Sequence, residues 1–459
     1  MSADIRLTEY GPMSSSLKCS SLSELCVDKV GVQTGPFGSQ LHKEDYVEVG
    51  TPIITVEHLG DNRIFHVDTP FVSDEDKARL SKYHLAEGDI VFSRVGSVDR
   101  RALVRKEEDG WLFSGRCLRV RVDKTKIDPV YLSYFFGLEG FKNYIRNIAV
   151  GATMPSINTK ILSDVPIYYP ECLEEQRKIA NIFYTSDEKI ELNRQTNQTL
   201  EAIAQAIFKS WFVDFDPVKA KIAAKEAGQN PQRAAMAAIA GKSIEQLDTL
   251  PAETIKQLQT TADLFPDALV DSDLGEIPEG WEVDTVKGLV ELSYGKALKK
   301  IDRVEGEFPV YGSGGGAGTH NKFHVEGPGI IVGRKGTVGS LYWSDQSFFP
   351  IDTVFYVQCK GEVTLEYVYY LLQTLGLENM NTDAAVPGLN RNNVYRLEVP
   401  RVPNELIKAF SVFTKTLRKK ISNAQAETNS LEQLRDTLLP KLLSGGLGLS
   451  EQEKAVVNG

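Results

Sequence analysis

Residues recur at alternating steps of four and three along one stretch of the chain: Ile179, Phe183, Ser186, Ile190, Asn193, Asn197, Leu200, Ala204, Ile207 and Trp211. This is the seam of a long helix packed against another helix. Adding 231 to each number gives Phe410, Thr414, Leu417, Ile421, Ala424, Thr428, Leu431, Arg435, Leu438 and Leu442, and Leu200-Glu201 falls on Leu431-Glu432. Two unrelated amphipathic helices would rarely share register over ten positions, so the pattern predicts an internal repeat. Asn193 and Asn197 interrupt the apolar seam. Polar residues there cost stability and can fix register and orientation; a solvated stretch of helix is the plainer alternative.

Each helix follows a strand-rich part. Asp89 to Val98 aligns with Gly329 to Val338 at an offset of 240, bringing Arg94 onto Arg334 and Gly96 onto Gly336. Both stretches read as a β-branched strand, a basic turn closed by glycine, and a further strand. A Pro-x-aliphatic-Asn turn closes each part, at Met154-Pro155-Ser156-Ile157-Asn158 and Val386-Pro387-Gly388-Leu389-Asn390. Between the halves, residues 214–284 hold 14 acids against 6 bases, eight of the ten net negative charges. Ala-rich runs such as Gln232 to Ala240 favour helix, while Pro217, Pro231, Pro251, Pro266 and Pro278 interrupt it. The segment therefore reads as a linker with some helix. The expected organisation is α/β: a first globule over 1–165, a long helix over 166–216, an acidic linker or crossover over 217–275, a second globule over 276–400, a distal long helix over 401–445 and a flexible tail over 446–459.

The 459 residues are 42% hydrophobic and 25% charged, which excludes a disordered chain or a fibrous repeat. No apolar run approaches the ~20 residues needed to cross a bilayer, and Met1 to Leu17 lacks the apolar centre of a secretory signal. Five scattered cysteines (Cys19, Cys26, Cys117, Cys172, Cys359) contain no C-x-x-C pair, which suits a reducing cytoplasm. Because the charge deficit is concentrated in one segment, the net value of −10 neither supports nor excludes DNA as a partner.

Catalytic signatures are missing. The glycine-rich stretch Tyr311 to Gly318 is followed by no amphipathic helix that could face a phosphate, so a tight β-turn or surface loop is the better reading. There is no P-loop, nucleophile elbow or zincin motif, and no Asn-Pro-Pro-aromatic stretch of adenine methyltransferases. His320 and His324 stand four apart without a supporting carboxylate, so no metal site is expected. A recognition layout remains. The seam from Ile179 to Trp211 spans roughly 48 Å at 1.5 Å per residue, or about 14 base pairs at ~3.4 Å each. A two-fold arrangement of similar globules suits the reading of two half-sites at a set spacing.

The chain resembles the specificity (S) subunits of type I restriction–modification enzymes along nearly its whole length. The resemblance is carried by Phe212-Val213-Asp214-Phe215-Asp216-Pro217, Leu264-Phe265-Pro266-Asp267, Leu274 to Trp281, Pro309 to Gly315, Gly329 to Gly336 and Phe349 to Phe355, in this order and with the repeat. It implies two target recognition domains, each reading half of a bipartite asymmetric double-stranded DNA site. It also implies that the helices pack as an antiparallel coiled coil, set the unread spacer and dock two methyltransferase (M) subunits. S-adenosylmethionine, ATP and Mg would belong to the methyltransferase and restriction (R) subunits, with no cofactor in this chain. The complex would carry DNA adenine-N6 methyltransferase and ATP-dependent nuclease activities, the chain itself none.

Under this reading Arg94, Arg334 and Lys335 lie in a turn that both globules share despite differing specificity. They are expected to contact phosphate or support the turn rather than select bases. Base readers are sought among unshared polar residues: Gln33, Thr34, Ser39, Gln40, Arg100, Arg101 and Arg116 in the first globule, and Tyr311, Ser313, His320, Asn321 and Lys322 in the second. The first globule carries Gly31 to Ser39 where the second has its Tyr-Gly-Ser-Gly-Gly stretch, so its recognition surface is expected to differ. Two rivals stand beside this reading. A restriction–methylation fusion would need catalytic motifs that are missing; a coiled-coil scaffold with degenerate globules would bind DNA without sequence preference or not at all.

Overall fold

The computed structural model describes residues 4–27, 31–381 and 388–447, apart from the side chains of Ser39 and Lys43. Two helices of 40 residues dominate it, Leu173–Phe212 and Asn404–Leu443. Each opens with acid in its first turn (Glu174 and Glu175; Glu405), where the helix dipole favours negative charge. The distal helix stops at Gly445, whose φ of +68° suits glycine beyond a helix end. Contacts divide the chain into two compact units, residues 1–192 with 427–459, and residues 193–426. Each long helix gives part of its length to each unit.

In the N-terminal unit the helix segments run antiparallel. Ile179 and Phe183 share a core with Leu438 and Leu442, while Asp187 meets Arg435 at 3.0 Å and Lys189 meets Glu427 at 3.2 Å. The segments of the C-terminal unit do the same: Phe208 packs on Phe410 with ring centroids 5.5 Å apart, and the Asn193 amide donates to the Ala424 carbonyl at 3.3 Å. All the seam residues of both helices, including Ser186, Ile190, Asn197, Leu200, Ile207, Ile421 and Leu431, are buried or half-buried.

The N-terminal globule is built on a five-stranded sheet in the order Val32–Thr34, Cys117–Val120, Ile90–Ser93, Arg101–Leu103, Asp61–Asn62. A second sheet runs Leu112–Phe113, Thr51–Ile54, Phe71–Val72, Tyr46–Val47. Strand Pro166–Tyr169 pairs with Lys18–Ser21 and so closes the globule just before the long helix begins. The C-terminal globule repeats this order. Its main sheet runs Val290–Tyr294, Val354–Cys359, Gly329–Gly333, Leu341–Ser344, and Glu282–Thr285 pairs with Glu398–Arg401. Its second sheet is smaller: Gly315–His320, Phe308–Gly312, Phe349–Pro350. Both second sheets contain one parallel pair, Leu112–Phe113 on Thr51–Ile54 and Phe349–Pro350 on Phe308–Gly312. The glycine-rich stretch is therefore a hairpin, turning at Ser313-Gly314.

The acidic segment, read as a linker with some helix, is mostly helical. It folds into helices Asp216–Glu226, Pro231–Ala240, Ile244–Leu247 and Ala252–Asp263, with a small core of Ala235, Met236, Leu247 and Ala262. Pro217 and Pro231 lie at the first helical turn, where a missing N–H costs nothing. The chain enters this segment through Phe215 at φ +55°, a costly conformation for a bulky residue. The ring of Phe215 packs edge-on against Trp281 at 5.7 Å. The boundaries shift accordingly, with Pro166–Tyr169 belonging to the first globule and the central helix ending at Phe212. Val386, Pro387 and residues 448–459, most of the expected tail, lie outside the described residues. Among those described, no helix is long and apolar enough to cross a membrane.

Phe410 is fully buried, with ring neighbours Phe208, Trp211, Phe212 and Tyr370 within 6.0 Å. Phe410→Ala should destabilise the C-terminal unit by about 3–5 kcal/mol, read as a lower denaturant midpoint. An unchanged midpoint would contradict this packing.

Candidate nucleic-acid interface

The repeated motifs of each half meet at one turn. In the N-terminal unit the Arg94 N–H donates to the Arg116 carbonyl at 2.8 Å, and the Arg94 carbonyl accepts from the Ile157 N–H at 2.9 Å. The Arg94 guanidinium donates to the Gly115 carbonyl at 3.1 Å. In the C-terminal unit the Arg334 N–H donates to the Thr353 carbonyl at 2.9 Å, and its carbonyl accepts from Leu389 at 2.8 Å. The Arg334 guanidinium donates to the Asp352 carbonyl at 2.6 Å and lies over the Tyr294 ring at 5.2 Å. Each turn is thus tied to the entry of the returning strand and to the Pro-x-aliphatic-Asn motif. Gly96 and Gly336, at φ +82° and +87°, occupy the left-handed region that the turn requires. The shared asparagines cap the next helices: Asn158 accepts from the Ile161 N–H at 2.8 Å and Asn390 from the Asn392 N–H at 2.9 Å. Both arginines therefore brace their turns, while Lys335 beside Arg334 is exposed.

The unshared candidates separate by burial. Arg100 and Arg116 are exposed beside the first turn. Gln33 is half-buried, its side-chain oxygen accepting from Arg119 at 2.6 Å. Burial and the neighbouring Arg121 draw the Arg119 guanidinium down to about 10. Thr34 sits in a strand opposite Leu118. Gln40 is tied to the Tyr83 hydroxyl at 2.5 Å and, through its carbonyl, to Arg79 at 2.7 Å. The Ser39 side chain lies outside the described residues. Arg101 is a correction: it is 3% exposed, its guanidinium bonded to Asp61 at 2.7 Å and to the Ser133 carbonyl at 3.2 Å. A charge so enclosed and paired braces the sheet and offers nothing to a base edge.

In the C-terminal unit Ser313 joins the shared turn. Its carbonyl accepts from the Ser340 and Tyr342 hydroxyls at 2.7 and 3.1 Å, and its N–H donates to Thr353 Oγ1 at 3.4 Å. Tyr311 packs inward, edge-on to Phe348 at 5.8 Å. His320 is the second correction: it is buried, and its Nδ1 accepts from the Val304 N–H at 3.2 Å. Asn321 and Lys322 are exposed. The six-residue strand Gly315–His320 separates them from Ser313 by roughly 20 Å, so they do not share its turn.

One further element was hidden in the sequence. The first strand of each main sheet ends in a glycine whose N–H donates to the returning strand, Gly35 to the Cys117 carbonyl at 3.2 Å and Gly295 to the Val354 carbonyl at 3.1 Å. A Cβ would meet the Ser114 carbonyl oxygen at 2.2 Å from Gly35, or that of Ile351 at 2.0 Å from Gly295, so only glycine fits. Beyond Gly295 stand the exposed Lys296, Lys299 and Lys300; beyond Gly35 stands Phe37, 64% exposed. The cluster of lysines after Tyr294-Gly295 was the available signal. Exposed cations and braced turns suit contact with a phosphate backbone.

Arg101→Ala should cost about 1–3 kcal/mol through the hydrogen bonds left unmade, whereas Arg116→Ala should leave stability within about 0.5 kcal/mol. Denaturant unfolding of the two variants separates the buried brace from the free surface arginine; equal effects would overturn the distinction.

A family model for the type I restriction modification DNA specificity domain matches residues 32–202 and 278–433, one match per half. The chain is 29% identical over 445 residues to the type I restriction enzyme HindI specificity subunit of Haemophilus influenzae, covering 86% of this chain and 94% of that protein. It is 24% identical over 349 residues to the type I restriction enzyme MjaIX specificity subunit of Methanocaldococcus jannaschii, 74% of each chain. The crystal structure of a type I restriction–modification S subunit from M. genitalium shares the fold, with a TM-score of 0.58 at 18% identity, covering 96% of this chain and 99% of that one. With both halves matched separately and the braced turn repeated in each, the chain belongs to the type I restriction modification DNA specificity family.

Proposed function

We propose that each globule reads one half of a bipartite, asymmetric DNA site and that the long helices set the unread spacer and dock two methyltransferase subunits. One observation carries the reading. The two globules share a sheet order and a braced basic turn, yet differ in the second sheet and in the loops beside that turn. A shared cationic turn suits the sequence-independent backbone, and unshared loops suit base edges. The chain contributes recognition and no chemistry. The methyltransferase subunits supply S-adenosylmethionine and a pocket for a flipped adenine. Restriction subunits supply ATP- and Mg-dependent cleavage, and the assembly works in the cytoplasm.

Methylome sequencing of cells expressing this chain with its cognate methyltransferase subunit, against that subunit alone, tests the reading. A bipartite adenine-methylated motif should appear only with this chain; its absence despite a confirmed complex would refute the reading. Inserting one heptad in each long helix adds ~10 Å of rise and should lengthen the preferred spacer by about 3 base pairs. An unchanged spacer would sink the ruler. Arg334→Ala should weaken binding alike on matched and mismatched DNA, measured by titration of the complex at fixed salt. A new sequence preference would instead make Arg334 a base reader.

A further inference from the structure

Each unit contains a three-residue contact joining its globule to both long helices. In the N-terminal unit the Tyr134 hydroxyl donates to Asp187 Oδ2 at 2.7 Å, and Arg435 Nη1 donates to Asp187 Oδ1 at 3.0 Å. Tyr134 stands on globule helix Pro129–Phe135, Asp187 on the central helix and Arg435 on the distal one. In the C-terminal unit the Tyr370 hydroxyl donates to Glu201 Oε2 at 3.3 Å, and Arg418 Nη2 lies 3.4 Å from the same oxygen. Tyr370 stands on globule helix Leu365–Thr374, Glu201 on the central helix and Arg418 on the distal one.

The two contacts correspond at the globule helix and at one long-helix position, while the other long-helix partner is displaced by three residues, Arg435 falling on Ala204 rather than on Glu201. Asp128 and Thr364 cap the two globule helices, and each tyrosine falls six residues after its cap. Asp187 and Arg418 are 231 residues apart, the interval of the seam, so one repeated position carries an acid in one unit and a base in the other. Both pairs are shielded, with 13% and 21% side-chain exposure for Asp187 and Arg435, and 24% and 11% for Glu201 and Arg418. Arg418 is further enclosed by the rings of Tyr369 and Trp343, at 4.3 and 4.7 Å.

Shielded ion pairs add little net stability over apolar packing, and their best-attested use is in fixing register and orientation. Apolar cores accept small shifts in packing; the hydrogen-bonded chain of hydroxyl, carboxylate and guanidinium in the N-terminal unit has a narrow geometry, while in the C-terminal unit Arg418 meets Glu201 as an ion pair, its Nη2 outside hydrogen-bond geometry. The rotation of a globule about its helices matters because B-DNA turns by about 35° for each base pair, at 10–10.5 per turn. We propose that Tyr134–Asp187–Arg435 and Tyr370–Glu201–Arg418 are positioning residues that fix the angle of each globule on its helices, and thereby the spacer tolerance of the bipartite site. The inference rests on the function proposed above.

The test is methylome sequencing with the cognate methyltransferase subunit for the unaltered chain, Arg435→Gln, Arg435→Lys, Tyr134→Phe and Tyr370→Phe. Half-site sequences should stay unchanged throughout. In Arg435→Gln and both Tyr→Phe variants, methylation at spacers one base pair longer or shorter should rise by about tenfold or more, and Arg435→Lys should restore most of the wild-type spacer. The Tyr→Phe changes remove one oxygen and keep the ring, so they carry the test even if Arg435→Gln does not fold. Lower methylation at every site with the single spacer retained would mean a merely structural role and overturn the proposal, as would an unchanged spacer distribution in all variants. If the unaltered chain gives no bipartite motif, the function reading fails first and the proposal with it. A heptad insertion that moves the spacer while these variants do not broaden it would sink the latches alone.

Discussion

Most helical stability in a protein comes from the burial of one face rather than from propensity. Here that burial is what the rest of the structure depends on. In each unit the apolar seam of one long helix is covered by the other helix and by an aromatic-rich helix of the globule. Tyr134 lies against Phe183 at 5.3 Å, and Tyr367 against Phe208 at 5.5 Å. The helices are thus framework and core at once. Asn193 tolerates its buried place in this seam with the help of its amide, which donates to the Ala424 carbonyl.

What was legible in the sequence was whatever repeats. The seam, the strand-and-turn motif and the asparagine caps recur at offsets within ten residues of one another, and all belong to the skeleton common to both halves. The acidic segment was harder to read for a local reason. Proline looks like a break in a linear pattern, yet Pro217 and Pro231 begin helices. The core they lead into is made largely of alanine, which leaves only a faint periodic signal.

The shared turn was legible, its surroundings only in part. Arg94 and Arg334 stood out because they were shared, and sharing pointed away from sequence selection. Arg101 misled because an arginine beside a turn looks exposed; its strand lies inside a five-stranded sheet, where only tertiary pairing reveals that Asp61 meets it. The correspondence of Gly35 with Gly295 was invisible because the loops after them differ in length and composition. Their common cause, backbone passing against backbone with no room for a Cβ, exists only in three dimensions.

The braced turn has a consequence for how affinity is distributed. Arg94 and Arg334 each hold their turn through the N–H, the carbonyl and the guanidinium before any ligand arrives. A segment fastened at three points has little conformational entropy left to lose, so its ordering cost is met during folding. The freedom still available for loss on association lies in the unshared loops. On the function proposed above, differences in heat and entropy of binding between sites should therefore arise there, while the turns contribute a nearly constant background.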